Sequence, residues 1–171
     1  NKGLEVIEAQ WLFNMDFTRI EVVIHPQSIV HSMVAYRDGS IIAQMGVPDM
    51  RIPIQLALTW PERMDNGFGR VDFTKVAALT FEKPDFEVFR CLKLAFRAAE
   101  AGGTLPVVMN AANEVAVSLF LQEKIPFTGI VDLIENVMGN HLVHTSPSIN
   151  DIIETDTWSR EETMRLFGRM K

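Results

Sequence analysis

The helical spacing of apolar residues in the second half of the chain restricts the fold more than any other feature. From Asp85 onward, apolar side chains recur every three or four residues, which is the period of an α-helix. Gly102 and Gly103 end the first such run, and Thr104 and Thr128 stand where the next two begin. The predicted inward stripes are Phe89, Leu92, Phe96 and Ala99, then Val108, Ala112, Val115 and Leu119, then Ile130, Ile134, Val137 and Met138. This half is therefore expected to form a helical bundle.

Further elements are predicted at both ends of the chain. Apolar residues at helical spacing predict a helix over residues 2–13, and the β-branched run Ile20–Ile24 predicts a short strand. Ser159 and Glu162 have the spacing of a capping box, which predicts a last helix that runs to about Arg169.

A hairpin and a helix are predicted between these elements. Asp38-Gly39 separates the runs Ser32–Tyr36 and Ser40–Met45, and this dipeptide favours a tight β-turn because glycine readily adopts positive φ. Asp49 then stands as an N-cap before a helix over Ile52–Trp60, which Pro61 ends.

The predicted fold class is α+β, with a small mixed sheet and helices followed by a C-terminal α-helical bundle. Residues 1–62 form the first part and residues 85–171 the bundle. Residues 63–84 lack strong periodicity and contain several Gly and Pro residues, so they are predicted to be a linker. A short extended piece is expected at Leu79–Phe81.

Charge and composition exclude several classes of function. The chain has 22 acidic and 16 basic residues and a net charge of −6, which argues against general nucleic-acid binding. No apolar stretch approaches the length of a membrane span. The single cysteine, Cys91, permits no intrachain disulfide, so a cytoplasmic protein is expected.

The first turn of the first predicted helix carries an amide, an ammonium and a carboxylate. Asn1, Lys2 and Glu5 span an arc of roughly 100° on one face of that helix. The free N–H groups of a helix N-terminus suit a phosphate, as do Lys2 and Asn1. Glu5 would repel a phosphate unless a divalent metal neutralised it. The alternative is an ordinary surface pair in which Glu5 interacts with the helix dipole.

Other candidate residues have no specific pattern of their own. His25 and His31 are too far apart, in a strand or in a helix, to bind one metal, although one of them could act singly. Met50 could cover an apolar ligand ring or fill a gap in the core. His141 and His144 are expected at the surface. No chemical role is assigned to Asn110, Asn113 and Glu114, which lie in a predicted helix.

These motifs, taken together, resemble the 1-deoxy-D-xylulose 5-phosphate reductoisomerase family over essentially the whole chain. The matching runs are Asn-Lys-Gly-Leu-Glu at 1–5, Glu8-Ala9 with Trp11, Ile24 to Ser28, His31 to Val34, Pro48 to Arg51, Ala77 to Phe81, Cys91 to Ala95, and Asn110 to Glu114.

The resemblance implies a central catalytic domain that ends near residue 62 and a C-terminal helical domain. It implies conversion of 1-deoxy-D-xylulose 5-phosphate to 2-C-methyl-D-erythritol 4-phosphate in non-mevalonate isoprenoid biosynthesis, with NADPH and Mg²⁺, Mn²⁺ or Co²⁺, in a homodimer. By motif position, Asn1, Lys2 and Glu5 resemble substrate-binding residues, and Glu5 also resembles a metal ligand. Lys2, Glu5 and His31 resemble catalytic residues, and Met50 resembles a contact to the nicotinamide cofactor.

The chain also departs from the family pattern by omission. It has no glycine-rich nucleotide-binding motif and no Asp-Ser-Glu run to complete the metal site. The helical pattern begins directly at Asn1, so the expectation is a chain that starts inside the active site and is inactive without the upstream part of the same enzyme. The alternative is a non-catalytic helical interaction module.

Overall fold

The computed structural model describes residues 1–169. In chain order, the elements are α1 (Lys2–Leu12), a 3-10 helix (Phe17–Arg19), β1 (Val30–Ala35), β2 (Ile41–Met45), α2 (Arg51–Thr59), α3 (Arg90–Ala101), α4 (Leu105–Leu121), α5 (Phe127–Asn140) and α6 (Ile149–Arg169). The α+β class is confirmed, but the sheet within these residues is a two-stranded antiparallel hairpin and not a mixed sheet.

The chain divides into two units that differ from the predicted division. A helical unit combines residues 1–22 with the residues from Asp85 onward, and a hairpin unit consists of residues 23–84. The prediction instead grouped residues 1–62 and treated residues 63–84 as a linker. The difference arises because the apolar side of α1 packs against α3, which follows it by some 80 residues in the chain.

The hydrophobic core of the helical unit surrounds α4. This helix contacts α3, α5 and α6, and Val108, Ala112 and Ala116 on it are fully inaccessible to solvent. The alanines let neighbouring helices approach closely, so the core is dense. The predicted stripe of α5 is confirmed in full, and that of α4 is confirmed except for the half-buried Val115.

The start of α3 is later than predicted. Residues 85–89 form a turn in which the Asp85 carboxylate accepts hydrogen bonds from the backbone N–H groups of Glu87 and Val88 at 2.8 and 3.3 Å. The predicted stripe is therefore only partly correct, because Phe89 precedes the helix and is exposed. Gly102, with a φ of +61°, ends α3 as predicted.

The start of α6 is eleven residues earlier than the capping-box prediction. Ser148 and Asp151 form that box instead, since the Ser148 hydroxyl and backbone N–H both contact the Asp151 carboxylate at 2.7 Å. Ser159 lies inside α6, where its hydroxyl donates to the Val108 carbonyl at 3.0 Å. Glu162 is also buried inside α6 and accepts from Asn140 at 2.8 Å. The predicted cap at Ser159 is therefore wrong.

The hairpin unit follows the prediction more closely. β1 and β2 pair with Val34 opposite Ile42, and Gly39 in the turn has a φ of +85°. The predicted strand Ile20–Ile24 is wrong except at Ile24, which forms a single antiparallel bridge with Glu82, just after the expected extended piece. No helix within residues 1–169 combines the length and the apolar character that crossing a bilayer requires.

Candidate functional site

The first turn of α1 brings Asn1, Lys2 and Glu5 into direct contact, as the sequence predicts. The two carboxylate oxygens of Glu5 accept hydrogen bonds from different donors: Oε1 from the Asn1 amide and Oε2 from Lys2 Nζ, the latter at 2.7 Å. The side chains of Lys2 and Glu5 are 63% and 45% exposed. The group is therefore open to a ligand.

The backbone at this point adds donors to the same end of the helix. Asn1 is the N-cap residue, and its carbonyl accepts the first helical hydrogen bond from the Glu5 N–H at 3.0 Å. Its side chain makes no capping bond, so the first-turn N–H groups have no side-chain acceptor there. Such a terminus attracts anions, and Lys2 strengthens that attraction.

The metal-binding capacity of this site within the chain is limited to one carboxylate. No group of three or more His, Cys, Asp or Glu side chains among residues 1–169 is arranged to hold a metal ion. Glu5 offers a hard oxygen ligand of the type that Mg²⁺ and Mn²⁺ prefer, but such ions take about six ligands. The residues present thus fit one part of a metal site.

His31 lies in the hairpin unit, at an irregular position of β1. The pairing register shifts between Val30 and Ser32, so His31 is the extra residue of a bulge. Its Nε2 donates to the Gly46 carbonyl at 3.2 Å, which links the two strands and fixes the ring.

His25 has a separate set of contacts in the same unit. Its Nδ1 donates to the Thr80 carbonyl at 2.9 Å, and its ring stacks on Phe81 with centroids 4.6 Å apart. Within residues 1–169 the buried Nε2 atom has no hydrogen-bond partner. His25 and His31 thus each bind a different backbone carbonyl through one ring nitrogen.

Met50 lies directly before α2 and is 72% exposed, so it does not fill a gap in the core. The neighbouring Asp49 accepts from the Arg51 guanidinium at 2.5 Å, and this bond lowers the pKa of Asp49 to about 2. Arg51 in turn lies over the Phe68 ring, 4.3 Å from its centroid. This network fixes the start of α2, so that Met50 presents an apolar side chain from an ordered backbone.

The polar run at 110–114 forms a link between two helices, which the sequence did not reveal. Asn110 donates to one oxygen of Glu114, and Arg160 of α6 donates to the other at 2.7 Å. Arg160 also binds Asp156 at 2.7 Å, and these acidic partners raise its pKa. The run therefore joins α4 to α6.

The expectation that His141 lies at the surface is wrong. Its ring is half-buried, lies beside Trp158 and hydrogen-bonds the buried Thr104 hydroxyl at 2.7 Å. Burial lowers the pKa of His141. Thr104 also accepts from the backbone N–H of His144, so it closes the loop after α5 instead of capping α4 with its side chain.

The comparison with known families decides the assignment. The family model described as the DXP reductoisomerase C-terminal domain matches residues 45–162. The chain belongs to the DXP reductoisomerase family. This result confirms the resemblance that the sequence motifs indicate.

Individual members of the DXP reductoisomerase family match almost the whole chain. The 1-deoxy-D-xylulose 5-phosphate reductoisomerase of Acetivibrio thermocellus is 62% identical over 161 residues, which cover 94% of this chain and 42% of the relative. That of Ruminiclostridium cellulolyticum is 57% identical over 167 residues, covering 98% and 44%. The chain therefore spans less than half the length of these relatives.

Solved structures of DXP reductoisomerases share the fold. The Zymomonas mobilis enzyme in complex with NADPH is 46% identical, with a TM-score of 0.89 over 98% of this chain and 44% of that one. A DOX-P reductoisomerase in complex with NADPH, fosmidomycin and magnesium is 38% identical, with a TM-score of 0.90 over 99% and 44%.

Proposed function

We propose that this chain supplies the α1 face of the active site and the helical domain of a reductoisomerase that converts 1-deoxy-D-xylulose 5-phosphate to 2-C-methyl-D-erythritol 4-phosphate. The observation that carries the proposal is the contact of Asn1, Lys2 and Glu5 at a helix N-terminus, in a chain that matches such enzymes over 94% of its length. The upstream part of the enzyme supplies the rest of the site, and this chain alone is inactive.

Lys2 and Asn1 bind the substrate phosphate in this proposal. Lys2 Nζ carries a full positive charge at an exposed position, and the Asn1 amide donates beside it. Both donors now contact Glu5, so a phosphate would replace Glu5 as their acceptor. The N–H groups of the first turn add to this binding without any side-chain movement.

Glu5 binds the divalent metal as the one carboxylate this chain contributes. The two oxygens that now accept from Asn1 and Lys2 become available when those donors turn to the phosphate. A bound Mg²⁺, Mn²⁺ or Co²⁺ supplies electrostatic stabilisation of the negative charge that develops on substrate oxygens. The remaining metal ligands come from the upstream part of the enzyme.

Met50 and His31 have separate roles in this proposal. The exposed Met50 thioether packs against the nicotinamide of NADPH, the cofactor that supplies the hydride. His31 acts as a catalytic-site support, because its bond to the Gly46 carbonyl holds the bulge in β1. A cytoplasmic location is consistent with a chain whose single cysteine permits no internal disulfide.

A second copy of the chain pairs through the hairpin in this proposal. Val34 and Ile42 stand opposite each other on one face of the two strands and are 55% and 62% exposed. Met33 and Ile41, on the other face, are also exposed. Covering such apolar strands is a common basis for symmetric dimers.

The test of the proposed function is a chimera that joins the upstream part of the Acetivibrio thermocellus enzyme to this chain. We expect NADPH oxidation that depends on 1-deoxy-D-xylulose 5-phosphate and is abolished by EDTA. The unaltered A. thermocellus enzyme is the positive control. A folded chimera with no turnover, beside an active control, would refute the proposal and favour the non-catalytic helical module.

A further inference from the structure

The first turn of α1 lies against α3 at a point where neither helix has a long side chain. A Cβ atom built on Gly3 would stand 2.5 Å from the Cβ of Ala95, and the next nearest atom, the Cys91 carbonyl oxygen, would be 3.5 Å away. Ala95 is 1% exposed. The backbone of α1 at Gly3 therefore packs directly against the methyl group of Ala95 on α3. Gly3 is next to Lys2 and two residues before Glu5.

This contact sets the distance between α1 and α3, and it leaves no space for a residue larger than glycine at position 3. Ordinary van der Waals contact begins at 3.4 Å, so a methyl group at Gly3 would require about 0.9 Å of additional separation. A methyl carbon has no torsion angle by which to turn away from its backbone. Only a displacement of one helix relative to the other can relieve the overlap.

The helix that would move is α1. Ala95 belongs to the core cluster together with Leu94 and Ala98, so α3 is supported from behind by α4 and α5. α1 packs mainly on α3 and contacts the core through the half-buried Leu4 and Ile7. At 100° per residue, Glu5 lies roughly 200° and Asn1 roughly 160° around the helix from Gly3. A push at Gly3 therefore moves the polar face of α1 outward, away from α3.

We propose that Gly3 and Ala95 are positioning residues, whose contact sets the depth at which α1 presents Glu5 and Lys2 to metal and substrate. The inference rests on the proposed function for the role of Glu5 and Lys2. It assigns the helical domain a direct part in the geometry of the site. A shift of about 0.9 Å exceeds the roughly 0.2 Å within which metal–ligand distances are held. Misplacement by about 1 Å can cost on the order of 100-fold in rate.

The experiment is a double-mutant cycle of Gly3→Ala and Ala95→Gly in the full-length enzyme. For Gly3→Ala we expect kcat to fall about 100-fold and Mn²⁺ binding, measured by electron paramagnetic resonance, to weaken about 10- to 100-fold. Ala95→Gly alone removes the methyl group against which α1 packs, so we expect a smaller loss than in Gly3→Ala, of at most about tenfold in kcat and in Mn²⁺ binding. In the double variant the atoms nearest to the new methyl group are the Cys91 oxygen at 3.5 Å and the Cα of residue 95 at 3.9 Å, so both readouts are expected to recover.

Gly139→Ala is the matched control, because a Cβ at this helical glycine of α5 would have no atom of residues 1–169 within 4 Å outside the backbone of its own helix. It is expected to leave kcat and Mn²⁺ binding unchanged. Circular dichroism and the melting temperature establish that each variant is folded. Near-normal kcat and Mn²⁺ binding in the Gly3→Ala variant would overturn the inference. A loss of either readout that persists in the folded double variant would overturn it as well. If the wild-type enzyme shows no turnover, the proposed function fails, and the Mn²⁺ cycle still decides whether this contact positions Glu5.

Discussion

Replacement of Glu5 by Gln separates a metal ligand from a surface carboxylate more sharply than any other single change. Gln keeps the size of the side chain and one acceptor oxygen, but it replaces the other oxygen with an NH₂ donor and removes the charge. Glu5 is 45% exposed, and its contacts are to its helix neighbours Asn1 and Lys2. The loss of stability is therefore expected to be small, about 0.3–1 kcal/mol from the helix dipole. The exposed pair with Lys2 adds no more than about 1 kcal/mol.

The expected loss of activity is much larger if Glu5 binds the metal. Loss of one interaction that stabilises the transition state costs about 3–4 kcal/mol, which corresponds to roughly 10²–10³-fold in kcat. The two roles therefore differ by orders of magnitude in rate and by only a few degrees in melting temperature.

The assay is steady-state NADPH oxidation by the full-length enzyme, with Mn²⁺ titrated at saturating substrate. Glu100→Gln is a charge-matched control, because Glu100 is an exposed carboxylate near the end of α3. We expect Glu5→Gln to lose activity and to require more Mn²⁺, while Glu100→Gln behaves as wild type. A Glu5→Gln enzyme with near-normal kcat and an unchanged metal requirement would refute the assignment.

Three further changes test other parts of the proposal. Lys2→Ala is expected to raise KM about tenfold or more with little change in kcat, because the lost contact is a charged hydrogen bond to phosphate, and an unchanged KM would contradict that role. Ile42→Asp is expected to convert the dimer to a monomer in light scattering, since it buries a charge at the proposed interface, and an intact dimer would place the interface elsewhere. Because burial lowers the pKa of His141, the unfolded state binds this proton more readily than the folded state, so the free energy of unfolding falls as the pH falls through the ordinary titration range of histidine. Urea titrations of wild type and His141→Gln at roughly pH 7 and pH 5 should show a smaller pH effect in the variant, and equal effects would contradict the argument.

The sequence predicted correctly those elements whose conformation is determined by residues close together in the chain. The Asp38-Gly39 turn fixes the hairpin because its backbone conformation, with Gly39 at positive φ, suits few other residue pairs. The buried stripe of α5 is likewise set by spacing alone. Asn1, Lys2 and Glu5 meet as predicted because helix geometry brings neighbours at i, i+3 and i+4 together.

The errors lie where two local signals compete or where a distant residue decides. Ser148-x-x-Asp151 and Ser159-x-x-Glu162 have the same spacing, and either could cap α6. What distinguishes them is the Val108 carbonyl, 51 positions from Ser159, which accepts the Ser159 hydroxyl inside the core. The role of His141 was missed for the same reason, since its partner Thr104 is 37 positions away. The spacing of residue types along the sequence does not indicate which distant residues form such hydrogen bonds.

The packing of α1 bears directly on whether the helical portion could be an independent interaction module. Val6 is 2% exposed, and Leu4 and Ile7 pack against the core cluster of α3 to α6, so α1 shares one hydrophobic core with the bundle. A bundle without α1 would expose the α3 surface around Ala95 to water. The same helix carries Asn1, Lys2 and Glu5 on its other side. Folding of the bundle therefore also fixes the position of the candidate site on α1. An interaction module formed by α3 to α6 alone would not require α1 in its core.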